Sequence, residues 1–318
     1  MVGSLFIFSF KYMIKKLIFN LILVVVFAFV MDFAIGRILR YFYFQEVVGL
    51  HHRTTYSLET TKAELLVLGS SRANHHYVPE IFEKRLKISF YNTGRDGNRL
   101  LYNYAIFKSI LKRYTPKIII LDIGFDELYY DPKELDRLSS LLPYYKNHPE
   151  LRSLIEKRSP FEKIKFLSNI YPFNSSILTI AIGNMEINKT RKGDIKGYVP
   201  LKGIIKDNNI NKLIIKDSQI NMFKFKVLKK IAQICLLKQI KLFIIQSPVY
   251  AMVHKTVSTE KCIQIANEYK AIFINTSNNP FFLNKPALFQ DKSHLNCRGA
   301  IEFSKIIVDK IFFQLTKK

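Results

Sequence analysis

The sequence predicts an α/β protein: a three-layer αβα sandwich with a mainly parallel five-stranded sheet, preceded by one N-terminal transmembrane helix. Two observations carry this. From Glu64 onward, short β-branched or apolar runs alternate with longer amphipathic segments, the pattern of a parallel sheet covered on both faces by helices. Ahead of them, Leu17 to Ile35 reads LIFNLILVVVFAFVMDFAI, broken only by Asn20 and Asp32. About 20 apolar residues at about 1.5 Å rise each cross the hydrocarbon core of a bilayer.

The N-terminal run is too long, too uniformly apolar and too close to the terminus for a buried core helix. Lys11, Lys15 and Lys16 precede it, and Arg37 and Arg40 follow. Asp32 lies near one end and reaches the interface. A cleaved signal peptide is the rival reading, but Ala34-Ile35-Gly36 is a poor small-x-small site and the run is long for a signal core. An uncleaved signal anchor is therefore expected, single-pass, with the C-terminal domain extracytoplasmic. Residues 1–36 form the tail and anchor, and 37–62 a juxtamembrane linker whose Tyr41–Phe44 aromatic cluster suits the interface. Residues 63–318 form the α/β domain.

Within that domain, residues 64–69 (ELLVLG), 88–92 (ISFYN), 117–123 (KIIILDI), 240–247 (IKLFIIQS) and 271–275 (AIFIN) read as strands. Helical spacing is read at 78–86, 98–114, 222–238, 257–269 and 298–315. The alternation gives a flavodoxin-like order of elements. Residues 128–220, with five prolines between Pro132 and Pro172, interrupt it and are expected to be a helical insertion or cap.

Composition sets limits. The 318 residues are 48% hydrophobic and 23% charged, so a packed core is expected. The net charge of +24 is spread along the chain, mostly as Lys. It reads as a solvated basic surface, and no Arg-rich or aromatic-interleaved stripe points to nucleic acid. Cys235, Cys262 and Cys297 form no C-x-x-C pair and allow at most one disulfide. No metal cluster or phosphate-binding glycine loop is present, so neither metal nor cofactor is expected.

In open α/β sheets ligands bind at the carboxyl ends of the strands. Four polar or Gly-rich turns converge there: Gly69-Ser70-Ser71-Arg72, Asn92 to Gly97, Gly124-Phe125-Asp126-Glu127, and Asp291 to Asn296 ahead of the last helix. A serine hydroxyl needs a base to act as a nucleophile, and a carboxylate can hold that base's tautomer. Ser71, at a strand-to-helix turn, Asp291 and His294 fit those roles. Gly97 lacks a Cβ, so its backbone N–H can approach an oxyanion. A serine N-cap, a chance Asp-x-x-His and a plain turn are the bland readings of each piece. Their order along the strands favours the joint one. His75-His76 is read as a solvated helix start, His51-His52 as juxtamembrane surface, and Cys297 as a small buried residue.

On these motifs the chain resembles the SGNH/GDSL hydrolase superfamily over roughly 64–127 and 240–315. Gly69-Ser70-Ser71-Arg72 is similar to the family's Gly-Asp-Ser-Leu block, with Ser71 at the nucleophile position and Ser70 where the family has Asp. Asn92 to Gly97 is similar to the second block, with Gly97 as oxyanion donor. Asp291-x-x-His294 is similar to the last. Gly124-Phe125-Asp126 stands where the family has Gly-x-Asn, so Asp126 occupies an oxyanion-hole position with a carboxylate that cannot donate. Arg72 or Asn74, expected near substrate, would be substitute donors.

The resemblance implies a serine esterase or O-acyltransferase acting on acyl esters of a cell-envelope polysaccharide. The bilayer, through residues 17–35, an acylated glycan and envelope-assembly proteins would be its partners. The alternative is a catalytically impaired glycan-binding or scaffold protein with the same fold. A third class, a basic surface protein holding anionic lipid or polysaccharide by charge alone, predicts steep salt dependence.

Overall fold

A computed structural model describes residues 2–185, 194–206, 209–210, 212–215 and 218–317, with side chains from Phe10 onward. Strands β1 (Leu65–Leu68), β2 (Phe90–Asn92), β3 (Ile118–Asp122), β4 (Lys241–Gln246) and β5 (Ile272–Asn275) form one sheet. Its order is β2-β1-β3-β4-β5 and every pairing is parallel. Successive side chains point to opposite faces, so a strand covered on both sides is apolar throughout. Leu66, Leu68, Ile119, Leu121, Leu242 and Ile244 enter one core cluster, and Leu65, Val67, Ile118, Ile120, Phe243 and Ile245 enter the other.

Ten helices matter below. They are α1 (Val2–Gln45), α2 (Gly49–Thr55), α3 (Ser71–His76), α4 (Pro79–Leu86), α5 (Leu100–Arg113), α6 (Pro149–Ile155), α7 (Ile177–Asn184), α8 (Met222–Leu237), α9 (Val257–Glu268) and α10 (Cys297–Thr316). Helices α5, α8 and α9 cover one face of the sheet; α3, α4 and α10 cover the other. Side-chain caps start three of them: Asn221 on α8, Thr256 on α9 and Asn296 on α10 accept backbone N–H groups of the first turn.

Helix α1 holds an apolar stretch from Phe10 long enough to cross a membrane, with none of its most apolar window buried. The 37–62 segment departs from the linker expectation. Helix α1 runs through to Gln45, α2 follows, and Tyr43, His51, Thr54, Ser57 and Leu58 are buried. Tyr43 stacks on His51 at 4.6 Å and meets Tyr144 and Phe173 edge-on. His51 Nδ1 lies 2.8 Å from Glu46 Oε1. Half of the Tyr41–Phe44 cluster is thus core, and His51 is not surface. Aromatic composition alone does not separate a membrane interface from a protein one.

Among its described residues, the insertion is helical only in its first part. Helices α6 and α7 and several short turns fill 136–184, whereas 195–198 form a tight turn and 199–205 run without regular structure along the sheet's carboxyl edge. At its base lies a buried ion network. Lys224 Nζ, fully buried, donates to Glu134 Oε2 at 2.9 Å and to the Tyr129 carbonyl at 3.2 Å. Burial and the nearby Glu127 charge push the Glu134 carboxyl up, against the pull of Lys224. Removing one partner leaves a buried charge uncompensated, at about 3–5 kcal/mol. Lys224→Met should lower the unfolding free energy by that much in denaturant titration, and adding Glu134→Gln should recover most of it. A loss no larger than that of a surface substitution would show the pair does not hold this junction.

Candidate active site

The turn after β1 is forced by packing. Gly69 has φ +155°, and a Cβ there would stand 2.6 Å from Ala73 Cβ and 2.8 Å from the Asp122 carbonyl oxygen. Its N–H donates to Asn103 Oδ1 at 3.0 Å. The chain therefore leaves the sheet sharply and enters α3 at Ser71, whose N–H, in the first helical turn, has no intrahelical acceptor.

The loop carrying Asp291 and His294 reaches the same edge from the far end of the chain. Gln290 N–H donates to the His294 carbonyl at 2.9 Å, and Asp291 Oδ1 accepts from Ser293 N–H (2.7 Å) and His294 N–H (3.0 Å). Asp291 thus shapes its own turn. His294 Nδ1 lies 2.9 Å from Asp291 Oδ2, and His294 Nε2 lies 2.7 Å from Ser71 Oγ. With Nδ1–H donating to the carboxylate, Nε2 is left to accept the serine proton. Ser71, His294 and Asp291 form one chain of hydrogen bonds, with the His294 side chain 23% and the Asp291 side chain 52% exposed.

Several groups brace this loop. Leu295 N–H donates to His76 Nε2 at 2.9 Å, so the ring's own proton sits on Nδ1. Burial, reinforced by the His294 and Arg72 charges, holds the His76 pKa well below 6.5. The 194–205 segment ties α3 to the same loop. Val199 N–H donates to the Asn74 carbonyl (3.0 Å), His75 Nδ1–H to the Val199 carbonyl (2.7 Å), Cys297 N–H to the Leu201 carbonyl (2.7 Å) and Ile205 N–H to the Phe289 carbonyl (2.8 Å). His75 and His76 are buried, not the solvated helix start expected; their partners come from residues far away in sequence. Cys297 opens α10 and is half-buried.

Gly97 sits in the left-handed region, φ +72°, on an exposed turn with open space where a side chain would be. Asp126 points at Arg99: Arg99 Nη2 donates to Oδ1 at 2.6 Å and Nη1 to Oδ2 at 3.2 Å. Arg99 also stands 3.6 Å from both Glu127 and Asp131. The carboxylate is neutralised by a bidentate partner and supplies no donor. Arg72 donates Nη2–H to the Ile123 carbonyl at 3.1 Å and lies over the Phe125 ring at 4.9 Å. Its Nε is 3.9 Å from Asp122, whose carboxyl burial pushes up, with Arg72 and the Tyr77 hydroxyl opposing. Asn74 is buried; its Oδ1 accepts from Arg53 and its Nδ2–H donates to Asp96 Oδ1 at 2.7 Å. Burial raises the Asp96 pKa, but His75, Asn74 and Arg53 outweigh it and hold the carboxyl low. The two residues expected near substrate are therefore engaged inside the protein. Arg53 and Arg99 shape the site without any sequence motif marking them; Asp96 lies inside the Asn92–Gly97 block and His76 beside the Ser71 turn, but the sequence reveals neither role. Among the described residues no three His, Cys, Asp or Glu side chains are grouped to hold a metal.

No protein-family model and no curated protein matches the sequence. Among solved structures, the chain is similar to a psychrotrophic esterase from Pseudoalteromonas sp., inhibited by monoethylphosphonate in its crystal. The identity is 11% and the TM-score 0.41, over 80% of this chain and 98% of that one. It is also similar to an alpha/beta hydrolase enzyme from the metagenome of Lake Arreo, Spain, at 8% identity and TM-score 0.41, over 78% of this chain and 94% of that one.

The bracing role of His76 has a direct consequence. His76→Ala orphans the Leu295 N–H, at about 1–3 kcal/mol, and loosens the His294 loop. The depressed His76 pKa adds a pH dependence. The unfolded chain takes up a proton first as pH falls below 6.5, so stability is full above that value and declines beneath it. Unfolding midpoints measured from about pH 7 down to about pH 5 should fall in the unaltered protein and fall less in His76→Gln. Parallel curves for the two would contradict this assignment.

Proposed function

We propose that the protein is a membrane-tethered serine ester hydrolase or O-acyltransferase of the SGNH type, with Ser71 as nucleophile. The observation that supports it is the 2.7 Å approach of His294 Nε2 to Ser71 Oγ, with Asp291 on Nδ1. His294 takes the Ser71 proton as Oγ attacks an acyl carbonyl, and Asp291 stabilises the imidazolium. The tetrahedral oxyanion is met by the N–H groups of Ser71 and Gly97. The alkoxide leaves with the proton from His294, and the acyl-enzyme passes its acyl group to water or to a sugar hydroxyl. Helix α1 holds the domain at the membrane on its extracytoplasmic side. Acyl esters of a cell-envelope polysaccharide are the substrate class that such a placement suits, with envelope-assembly proteins as neighbours.

One observation favours a second reading, a glycan-binding or scaffold protein with impaired catalysis. Asp126 is held by Arg99 where a donor would serve, and losing one oxyanion donor lowers the rate by about 10²–10³. The two readings separate on one experiment. A fluorophosphonate probe should label the full-length protein in detergent, and Ser71→Ala should abolish the label. Turnover of a p-nitrophenyl ester should fall by at least about 10³ in Ser71→Ala. Unlabelled folded protein whose glycan binding survives Ser71→Ala would establish the second reading instead.

A further inference from the structure

Part of the insertion is built unlike a water-facing surface. Helix α7 has the sequence ILTIAIGN, and Ile180 is its one buried residue. Leu178 is 72% exposed, and just upstream Phe161, Ile164 and Leu167 are 61%, 63% and 73% exposed. Soluble surfaces rarely gather large apolar side chains this way, and contiguous apolar patches mark contacts with proteins or membranes.

The same segment is packed against the end of the apolar stretch of α1. Asp32 accepts from the Ser168 hydroxyl, from Asn169 N–H at 2.7 Å and Ile170 N–H at 3.3 Å, and from Asn169 Nδ2–H at 3.1 Å. Gly36 lies against the backbone of Asn169, where a Cβ would stand 2.5 Å from its carbonyl carbon. Asn184 Nδ2–H donates to the Phe42 carbonyl at 2.9 Å. A carboxylate at the end of a hydrocarbon-spanning helix is costly unless its oxygens are satisfied. Here the insertion satisfies both. Asp32 and Gly36 are four residues apart, about 6 Å along the axis. Whatever grips them lies at the depth where the span leaves the hydrocarbon, within the about 5–10 Å over which interfacial elements bury their apolar side. Lys163, within the segment and 73% exposed at its side chain, is a cation that can meet anionic headgroups, although its Nζ also lies 3.5 Å from Glu156 Oε2.

We infer that residues 161–182 are a second membrane contact, a foot whose apolar side chains enter the interface of the bilayer that α1 crosses. The occupant is lipid because the patch is continuous with a helix whose apolar residues are themselves exposed along the span. The domain is then seated on the membrane at two points, not swung from a single stalk. This rests on the reading of α1 as an anchor.

The sequence contains no Trp, so single-Trp variants report one site each. The full chain carrying Leu178→Trp, Val24→Trp or Leu237→Trp is reconstituted in phosphatidylcholine–phosphatidylglycerol vesicles with brominated acyl chains. Leu237, 73% exposed at the end of α8, is the comparison site. Leu178→Trp and Val24→Trp should each lose at least about half of their fluorescence, and Leu237→Trp should be unaffected. Quenching of Val24→Trp alone overturns the foot and leaves the anchor standing. An unquenched Val24→Trp removes the anchor and the foot together. Equal quenching of Leu178→Trp and Leu237→Trp means unspecific adhesion and also overturns the foot.

Discussion

The contact between His294 Nε2 and Ser71 Oγ joins residues 223 positions apart, and the rest of the site is arranged around it. It exists because β1 is an interior strand of a fully parallel sheet, so its exit turn opens on the same edge as the loop ahead of α10. Parallel strands put all their carboxyl ends on one side. A single antiparallel strand in place of β1 would have carried Ser71 to the opposite edge. The close passage of Gly69 over Ala73 and Asp122 fixes where the exit turn lies, and the hydrogen bonds of Asp291 fix where His294 lies.

The half-exposed Asp291–His294 pair would be a weak brace by itself, since solvent screens its charges. Buried groups behind it do the holding. Neutral His76 receives Leu295 N–H, Asn296 Nδ2 reaches the carbonyls of Ala287 and Gly203, and the 194–205 segment bonds to α3 on one side and the 288–297 loop on the other. The insertion therefore serves the site as a clamp. A different logic governs the loop after β3. There Arg99 gathers Asp126, Glu127 and Asp131, and Lys224 gathers Glu134. Burial raises the Glu127 carboxyl, but Arg99 and Lys224 outweigh it and keep it ionised. That network fixes the loop's shape while committing Asp126 to Arg99.

The sequence made the sheet legible because each strand is a short, nearly all-apolar run, such as 118–122, between helices of clear 3.6-residue period. Expected and observed boundaries differ by one or two residues at most strand and helix ends. Ser71 and His294 stood out for a related reason: Ser71 closely follows β1 and His294 closely precedes α10, at the edge that the parallel topology fixes. The buried state of His51, His75 and His76 was not legible, because their partners Glu46, Tyr43, Val199, Asp96 and Leu295 come from other elements. The non-helical 194–205 segment of the insertion was hidden likewise. Apart from the Ile195–Tyr198 turn, residues 194–205 gain their backbone hydrogen bonds from the 72–92 and 288–297 regions and have no periodicity of their own. Asp126 was visible as an odd residue at a donor position, but its tie to Arg99 needs the fold.

The structure of the phosphonylated protein tests the central claim most directly. The account predicts phosphorus bonded to Ser71 Oγ, His294 still on Asp291, and the phosphonyl oxygen about 3 Å from the N–H groups of Ser71 and Gly97. Phosphorus on another side chain, or a phosphonyl oxygen turned away from both N–H groups, would contradict it.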